Sequence, residues 1–293
     1  MIRNMTASDR WFSRFAFLCL ALYTLLVALP IINLLAVALS GQNAVTAGLV
    51  QLWPKQFQWS AFRYVLDSSQ FYVSLQVSAY MTIAGSVAGV LFAVLAAYPL
   101  SKVKLPGRKA VLLAFVFTMM FSGGVVPQYI LIHKLHLLNS VWSVIFPHIT
   151  NVFNLLIVKS FFENMPEEIE ESAKIDGASQ LVILFRVFLP ISKPVIATIS
   201  LFYAVEFWNE YFLSRLYFSE QAFMPLQVYL RTVIFEAQDP SGTFSLNSGM
   251  LMNLAPQSII NATVLLSMLP MVMLYPMLQK YFAKGILIGS VKG

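Results

Sequence analysis

Two carboxylates, Glu206 and Glu210, are the only charges within Pro194–Ser214. A spacing of four sets both on one face of a helix. At about 1.5 Å per residue they lie roughly 18 and 24 Å along a helix that begins at Pro194. Paired carboxylates can cleave a glycosidic bond, but only by flanking it from opposite sides; neighbours on one helix face do not. What remains is hydrogen bonding to a hydroxyl-rich solute, pairing across a pore, or carrying protons. An interfacial position and an ion pair with Arg215 are the plain alternatives. Tyr203, Trp208, Tyr211 and Tyr217 could stack on flat solute faces, although aromatic belts at a membrane surface explain them at least as well. His133 and His136 have helical spacing, yet no third ligand lies nearby in sequence, so no metal site is expected. The single cysteine, Cys19, excludes a disulfide framework and a cysteine-based zinc site. No Gly-x-x-x-x-Gly-Lys-Ser/Thr occurs, so this chain has no phosphate-cradling loop.

The elements that position these groups follow from composition. Apolar residues make up 58% of the 293 and charged ones 11%, against about 45–50% and 25% in soluble domains. A net charge of +6 would suit nucleic acid only if it formed a basic face. Here the charges are sparse and separated by long apolar runs, so no nucleic-acid partner is expected. The fold class expected is all-α and integral to a membrane. Apolar stretches near the 20 residues that a crossing needs place six helices, at Phe15–Ser40, Tyr72–Pro99, Ala110–Ile132, Leu135–Val158, Pro194–Ser214 and Ser258–Gln279. The first is too long for a signal-peptide core and reads as an uncleaved anchor. Met268–Met277, with Pro270 and Pro276, reads as a kinked, packed part of the sixth.

Orientation follows from Lys and Arg. With both termini cytoplasmic, only Lys55, Arg63, Lys134, Arg215 and Arg231 fall outside; the other basic residues, 14 of the 19, fall inside. Most inside loops are simply basic. Lys102–Lys109, with a Pro106-Gly107 turn, reads as charges at lipid head groups. The segment Lys159–Lys193 differs, since six acidic residues against four basic ones should push it away from anionic lipid. Pro166, Glu167 and Glu168 suit a helix start. Ile169 and Ala173 share a face, and Gly177 supplies a turn. A second short helix from Ser179, through Leu184 and Phe188, is expected to stop before Pro190. The result is a helix–turn–helix elbow on the cytoplasmic face, with an amphipathic surface helix as the alternative.

Glu171-Ser172-Ala173, Gly177 after three further residues, and Val187-Phe188-Leu189-Pro190 after nine more resemble the EAA signature of permease subunits in ABC importers. Ser172 and Val187 depart from its usual alanine and isoleucine. Phe207-Trp208-Asn209-Glu210 and the C-terminal run from Tyr275-Pro276 to Gly293 are similar to carbohydrate permeases of the maltose-importer type. Within that type the likeness is to the branch handling larger oligosaccharides, of which the bacterial alginate importer is one member.

That resemblance implies a passive permease rather than an enzyme, in a bacterial cytoplasmic (inner) membrane. ATP and Mg would be bound by a partner ATPase, and no cofactor by this chain. Glu170, Glu171, Ser172, Ala173, Asp176, Gly177, Ala178, Leu189 and Pro190 would form the ATPase-coupling loop. Gly289, Ser290, Val291, Lys292 and Gly293 would reach the ATPases as a tail. Tyr203, Glu206, Asn209 and Glu210 are the candidate translocation path for a sugar. The partners implied are a second, non-identical permease, two ATPase copies and an external solute-binding protein. Pro240–Gln257 would touch that binding protein or its sugar, unless it is a bare linker. The chain divides accordingly into 1–70, a permease core at 71–282 and a tail at 283–293. The competing readings are a self-sufficient proton-coupled transporter using Glu206 and Glu210, and an intramembrane enzyme acting on lipid-linked sugar.

Overall fold

The computed structural model describes residues 7–121, 123–238 and 254–289. All regular structure among them is helical, with no strand, as the apolar runs require. Three helices are long and apolar enough to cross a membrane unaided: α1 (Ala7–Ala38), α4 (Ser69–Ser101) and α14 (Pro256–Gly289). Short helices α2 (Gln42–Thr46) and α3 (Ser60–Leu66) lie between the first two.

The other three expected spans are each broken. Ala110–Ile132 is divided into α5 (Arg108–Met120) and α6 (Val125–Lys134). Gly124 stands at the start of α6 with φ +85, a backbone state open to glycine. The fourth does not begin at Leu135. Residues 135–141 form a turn in which His136 and Asn139 take positive φ. The Asn139 N–H donates to the Tyr217 carbonyl (3.1 Å), and its Oδ1 accepts the Ser219 N–H (2.8 Å). Helix α7 (Trp142–Ile149) then meets α8 (Val152–Glu163) at 46°. Asn151 caps α8 by accepting the Asn154 N–H at 3.2 Å. The fifth is α11 (Lys193–Trp208) followed by α12 (Phe212–Tyr217), with α13 (Leu226–Gln238) beyond.

Between α8 and α11 stand α9 (Glu167–Ile175) and α10 (Gln180–Ile191). Ser179 caps α10, as its position suggests. This helix does not stop before Pro190. Its middle, Ile183–Phe188, widens into a π-helix, which admits a proline ring without the usual clash against the preceding turn. It continues to Ile191, and at Ser192 the chain bends 85° into α11.

The chain forms two compact units. One combines Met1–Ser69 with Leu230–Ser267. In it the end of α1 packs through Ala36 and Val37 against Ala44 and Val50, and the Ser258 hydroxyl donates to the Val37 carbonyl at 3.1 Å. None of the most apolar stretch of α1 is buried, a surface suited to lipid or to another chain.

The second unit combines Gln70–Tyr229 with Met268–Gly293 and carries both candidate sites. One cluster joins Ala93, Ala97 and Tyr98 of α4 to Phe162 of α8, to Leu184 and Phe188 of α10, and to Ile199 of α11. Tyr98, Phe162 and Phe188 meet edge to face, with centroids 5.2–6.2 Å apart. A second cluster sets Met81 of α4 against Tyr203 and Phe207 of α11. There Gly85 and Gly89 admit the Phe207 and Tyr203 rings so closely that a Cβ would lie 2.5 and 2.6 Å from ring atoms. In the Met268–Met273 part of α14, Met268, Leu269, Val272 and Met273 are exposed, while Pro270 and Met271 are half-buried.

Candidate functional site

The elbow is built as its punctuation indicates. Pro166 precedes α9, whose first turn carries Glu167, Glu168 and Glu170 and whose last turn carries Lys174, each sign matching its end of the helix dipole. Gly177 has φ +77. Its N–H returns to the Lys174 carbonyl, and the Ala178 N–H to the Ala173 carbonyl, both at 3.0 Å. That pair is a Schellman closure, which needs a left-handed residue where Gly177 stands.

The two faces of α9 differ in kind. Ala173 and Ala178 pack inward on the Tyr98–Phe188 cluster. Glu171, Ser172, Ile175, Asp176 and Gly177 are exposed, Ile175 at 86%. An isolated, almost fully exposed isoleucine between charged neighbours is a knob with nothing of its own chain to fill it. Ile175 was not among the expected coupling residues. The signal was there: an apolar side chain flanked by Lys174 and Asp176 in the most polar helix of the protein.

Glu170, expected with the coupling set, faces the other way. Its carboxylate pairs with Lys102 and, at 2.7 Å, with Lys174. Lys102 lies just past α4, and its Nζ sits 4.5 Å from the Tyr98 ring centroid and 4.4 Å from that of Phe188. The Tyr98 hydroxyl donates to Gln180 Oε1 at 2.8 Å. Arg108 pairs with Glu163, which also meets Lys159 at 2.7 Å. Lys102 and Arg108 are therefore engaged with carboxylates and are not free for lipid head groups.

Burial raises the Glu170 pKa, but the Lys102 and Lys174 ammonium groups outweigh it and hold the carboxyl below its usual range. A depressed folded-state pKa adds stability that is complete above the unfolded value. That stability fades as pH falls through the folded one. A spin label at the exposed Ser172 should accordingly keep constant mobility from neutral pH down to the ordinary carboxylate range. It should loosen only at more acid pH, and Glu170→Gln should show the loosened spectrum at pH 7.

The second candidate site departs from the expected geometry. Helix α11 ends at Trp208, and Glu210 lies past its C-cap, Asn209. The two carboxylates therefore do not share the face of one continuous helix. Glu210 Oε1 instead accepts the Leu213 N–H at 2.7 Å, at the start of α12. Both acids face the α7–α8 break. Glu206 accepts from Asn151 Nδ2 at 3.2 Å, and Glu210 Oε2 lies 3.3 Å from His148 Nε2. His148 Nδ1 is 2.8 Å from the Val144 carbonyl and must donate to it. The alternative of an ion pair with Arg215 is not what the structure shows for Glu210, which meets His148 instead.

Tyr203 is completely buried, with its ring over Gly89 and its hydroxyl donating to the Ile149 carbonyl at 3.1 Å. Trp208 and Tyr217 are buried as well. These three rings are core in this conformation and present no free face to a solute. Asn209 is exposed, with its side-chain amide donating to the Val205 carbonyl at 2.8 Å. Among the described residues no three His, Cys, Asp or Glu side chains are grouped to hold a metal. Gly289 ends α14, whereas Ser290, Val291, Lys292 and Gly293 of the tail, and 239–253 of the external segment, lie outside the described residues.

The class to which this elbow and these broken apolar helices belong is shown by comparison with known proteins. Residues 2–288 match the family described as binding-protein-dependent transport system inner membrane component. This chain belongs to that family, whose members are transport components rather than enzymes. It is 40% identical over 285 residues to the polygalacturonan/rhamnogalacturonan transport system permease protein YtcP of Bacillus subtilis, covering 97% of this chain and 99% of YtcP. Protein LplC of the same organism is 43% identical over 261 residues, 87% of each chain. Among solved structures, a chain from a bacterial ABC transporter involved in import of the acidic polysaccharide alginate superposes with a TM-score of 0.86 at 32% identity. That match covers 94% of this chain and 98% of the other.

Proposed function

We propose that this chain is one permease subunit of an ATP-driven importer for an acidic oligosaccharide, coupled to cytoplasmic ATPases through α9 and α10. The observation that carries the proposal is the outward face of α9. Glu171, Ser172, Ile175 and Asp176 are left without an intrachain covering while Ala173 and Ala178 anchor the elbow below. An exposed apolar knob with Glu171 and Asp176 beside it suits a cleft with an apolar floor and a basic group at its rim. Gly177 sets the bend, and Leu189-Pro190 carries α10 to the 85° turn at Ser192. Movement of the elbow would thereby reach α11 directly.

The proposed crossings are α1, α4, α5 with α6, α7 with α8, α11 with α12, and α14, with both termini cytoplasmic in the bacterial inner membrane. One such chain is half of a pore. A second, non-identical permease, two ATPases carrying ATP and Mg, and an external solute-binding protein complete the assembly. The tail at 289–293 would reach the ATPases, and the 240–257 stretch would face the binding protein. Glu206, Asn209 and Glu210 would border the path, with alternating access opening each side in turn.

Acidic cargo is favoured because two similar proteins are named for it, one for polygalacturonan and one for alginate. The test is uptake into proteoliposomes holding the chain with its permease, ATPase and binding-protein partners. Oligogalacturonides or oligoalginates should stimulate ATP hydrolysis and enter, whereas maltodextrins of equal length should not. Stimulation by maltodextrins alone would refute the acidic cargo. Uptake by this chain alone under a pH gradient would replace the whole reading with a proton-coupled transporter.

A further inference from the structure

We infer that Lys102 and Glu170 are positioning residues for coupling, tying the elbow to α4 and giving its motion a second route into the spans. The inference rests on the reading of the elbow as the ATPase handle. Its starting point is a cleft of about 920 Å³ between the α4–α5 connection and the elbow, lined on one side by Leu95, Lys102 and Leu105 and on the other by Glu167, Glu170 and Leu181. Apolar packing does not close this cleft, and the Lys102–Glu170 ion pair bridges it.

The pair is built as a joint. Lys102 Nζ is enclosed by two aromatic rings and a carboxylate, and partial removal from water strengthens both kinds of attraction. The Glu170 side chain is only 13% exposed, and Lys174 takes its second oxygen. Both Glu170 oxygens are thus engaged within the chain and the side chain faces the spans, while Glu171 beside it is exposed. The two adjacent acids divide the work, with one gripping the spans and the other facing the partner.

The far end of the route is also in place. Helix α4 runs unbroken from Ser69 to Ser101. At mid-length Gly85 and Gly89 hold the Phe207 and Tyr203 rings of α11 with no slack. A close-packed contact transmits displacement instead of absorbing it. Helix α11, which carries Glu206, is thus driven from one end through the backbone at Ser192 and from its side through α4. The neighbouring Arg108–Glu163–Lys159 group joins α5 to α8; Glu163 lines the same cleft but its ion pairs bind the spans to one another, so it serves as a control.

The test measures sugar transported per ATP hydrolysed in proteoliposomes with the complete importer. Lys102→Met and Glu170→Gln should each lower that ratio about three- to thirtyfold, with ATPase subunits still co-purifying. The double variant should be no worse than either single, because both remove one joint. Lys102→Arg, which keeps the cation between the rings, should stay within about twofold, as should the control Glu163→Gln. An unchanged ratio in the single variants, or multiplied losses in the double, would overturn the inference. So would loss of ATPase binding, which would make the pair a docking determinant, or an equal loss in Glu163→Gln, which would make the effect unspecific. Absence of ATP-driven uptake in the wild-type assembly would instead refute the underlying function.

Discussion

Ile175→Asp is expected to cut ATP-driven uptake at least about thirtyfold, the scale of an interface hot spot, while the purified chain melts within about 4 °C of wild type. Stability should hold because Ile175 is 86% exposed and no core cluster includes it. An Asp in the last turn of α9 opposes the helix dipole and faces Glu171 four residues back, which costs the isolated chain no more than about 1 kcal/mol at an exposed site. The loss arises only on docking, where a new charge must be desolvated in the partner's cleft beside Glu171 and Asp176. Co-purification of the ATPases, melting temperature and uptake are the three readouts. Normal uptake with Asp at this position would show that α9 is not gripped at its tip. Loss of melting temperature without loss of docking would place Ile175 in a core that the structure does not contain.

Gly85→Ala should destabilise the chain by about 1–3 kcal/mol, the usual cost of overpacking, and Gly89→Ala by a similar amount. The added methyl would lie 2.5 Å from the Phe207 ring in one case and 2.6 Å from the Tyr203 ring in the other. Both rings are completely buried and have no room to swing away. Phe207→Leu removes the ring edge that obstructs the new methyl. The Gly85→Ala, Phe207→Leu double variant should therefore be more stable than the sum of the singles predicts. Denaturation of the detergent-solubilised chain measures all four variants. Additive losses would mean that the two residues do not meet.

The elbow was legible because its signals are local. Pro166, the acidic first turn, Gly177 and the Ser179 cap act within a few residues of themselves, and the structure uses each where it stands. The broken spans were not legible. Hydropathy averages over a window and sees Ala110–Ile132 as continuous, whereas Gly124 at φ +85 and the turn at His136 and Asn139 interrupt the backbone without changing its apolar character. The carboxylates suffered from the same averaging, since a spacing of four implies a shared face only while the helix lasts, and it ends at Trp208.

Membrane residence, helical class and the elbow's position were determined by the sequence alone, because composition and capping chemistry act over at most a few turns. Which of two adjacent glutamates turns inward, which aromatic rings become core and what faces Glu210 were decided only by tertiary structure. Those outcomes depend on partners far away in the chain: Lys102 for Glu170, 68 residues off, Gly89 for Tyr203, and His148 for Glu210. A charge or a ring in an apolar interior takes the partner that the packing brings to it, and no local pattern names that partner in advance.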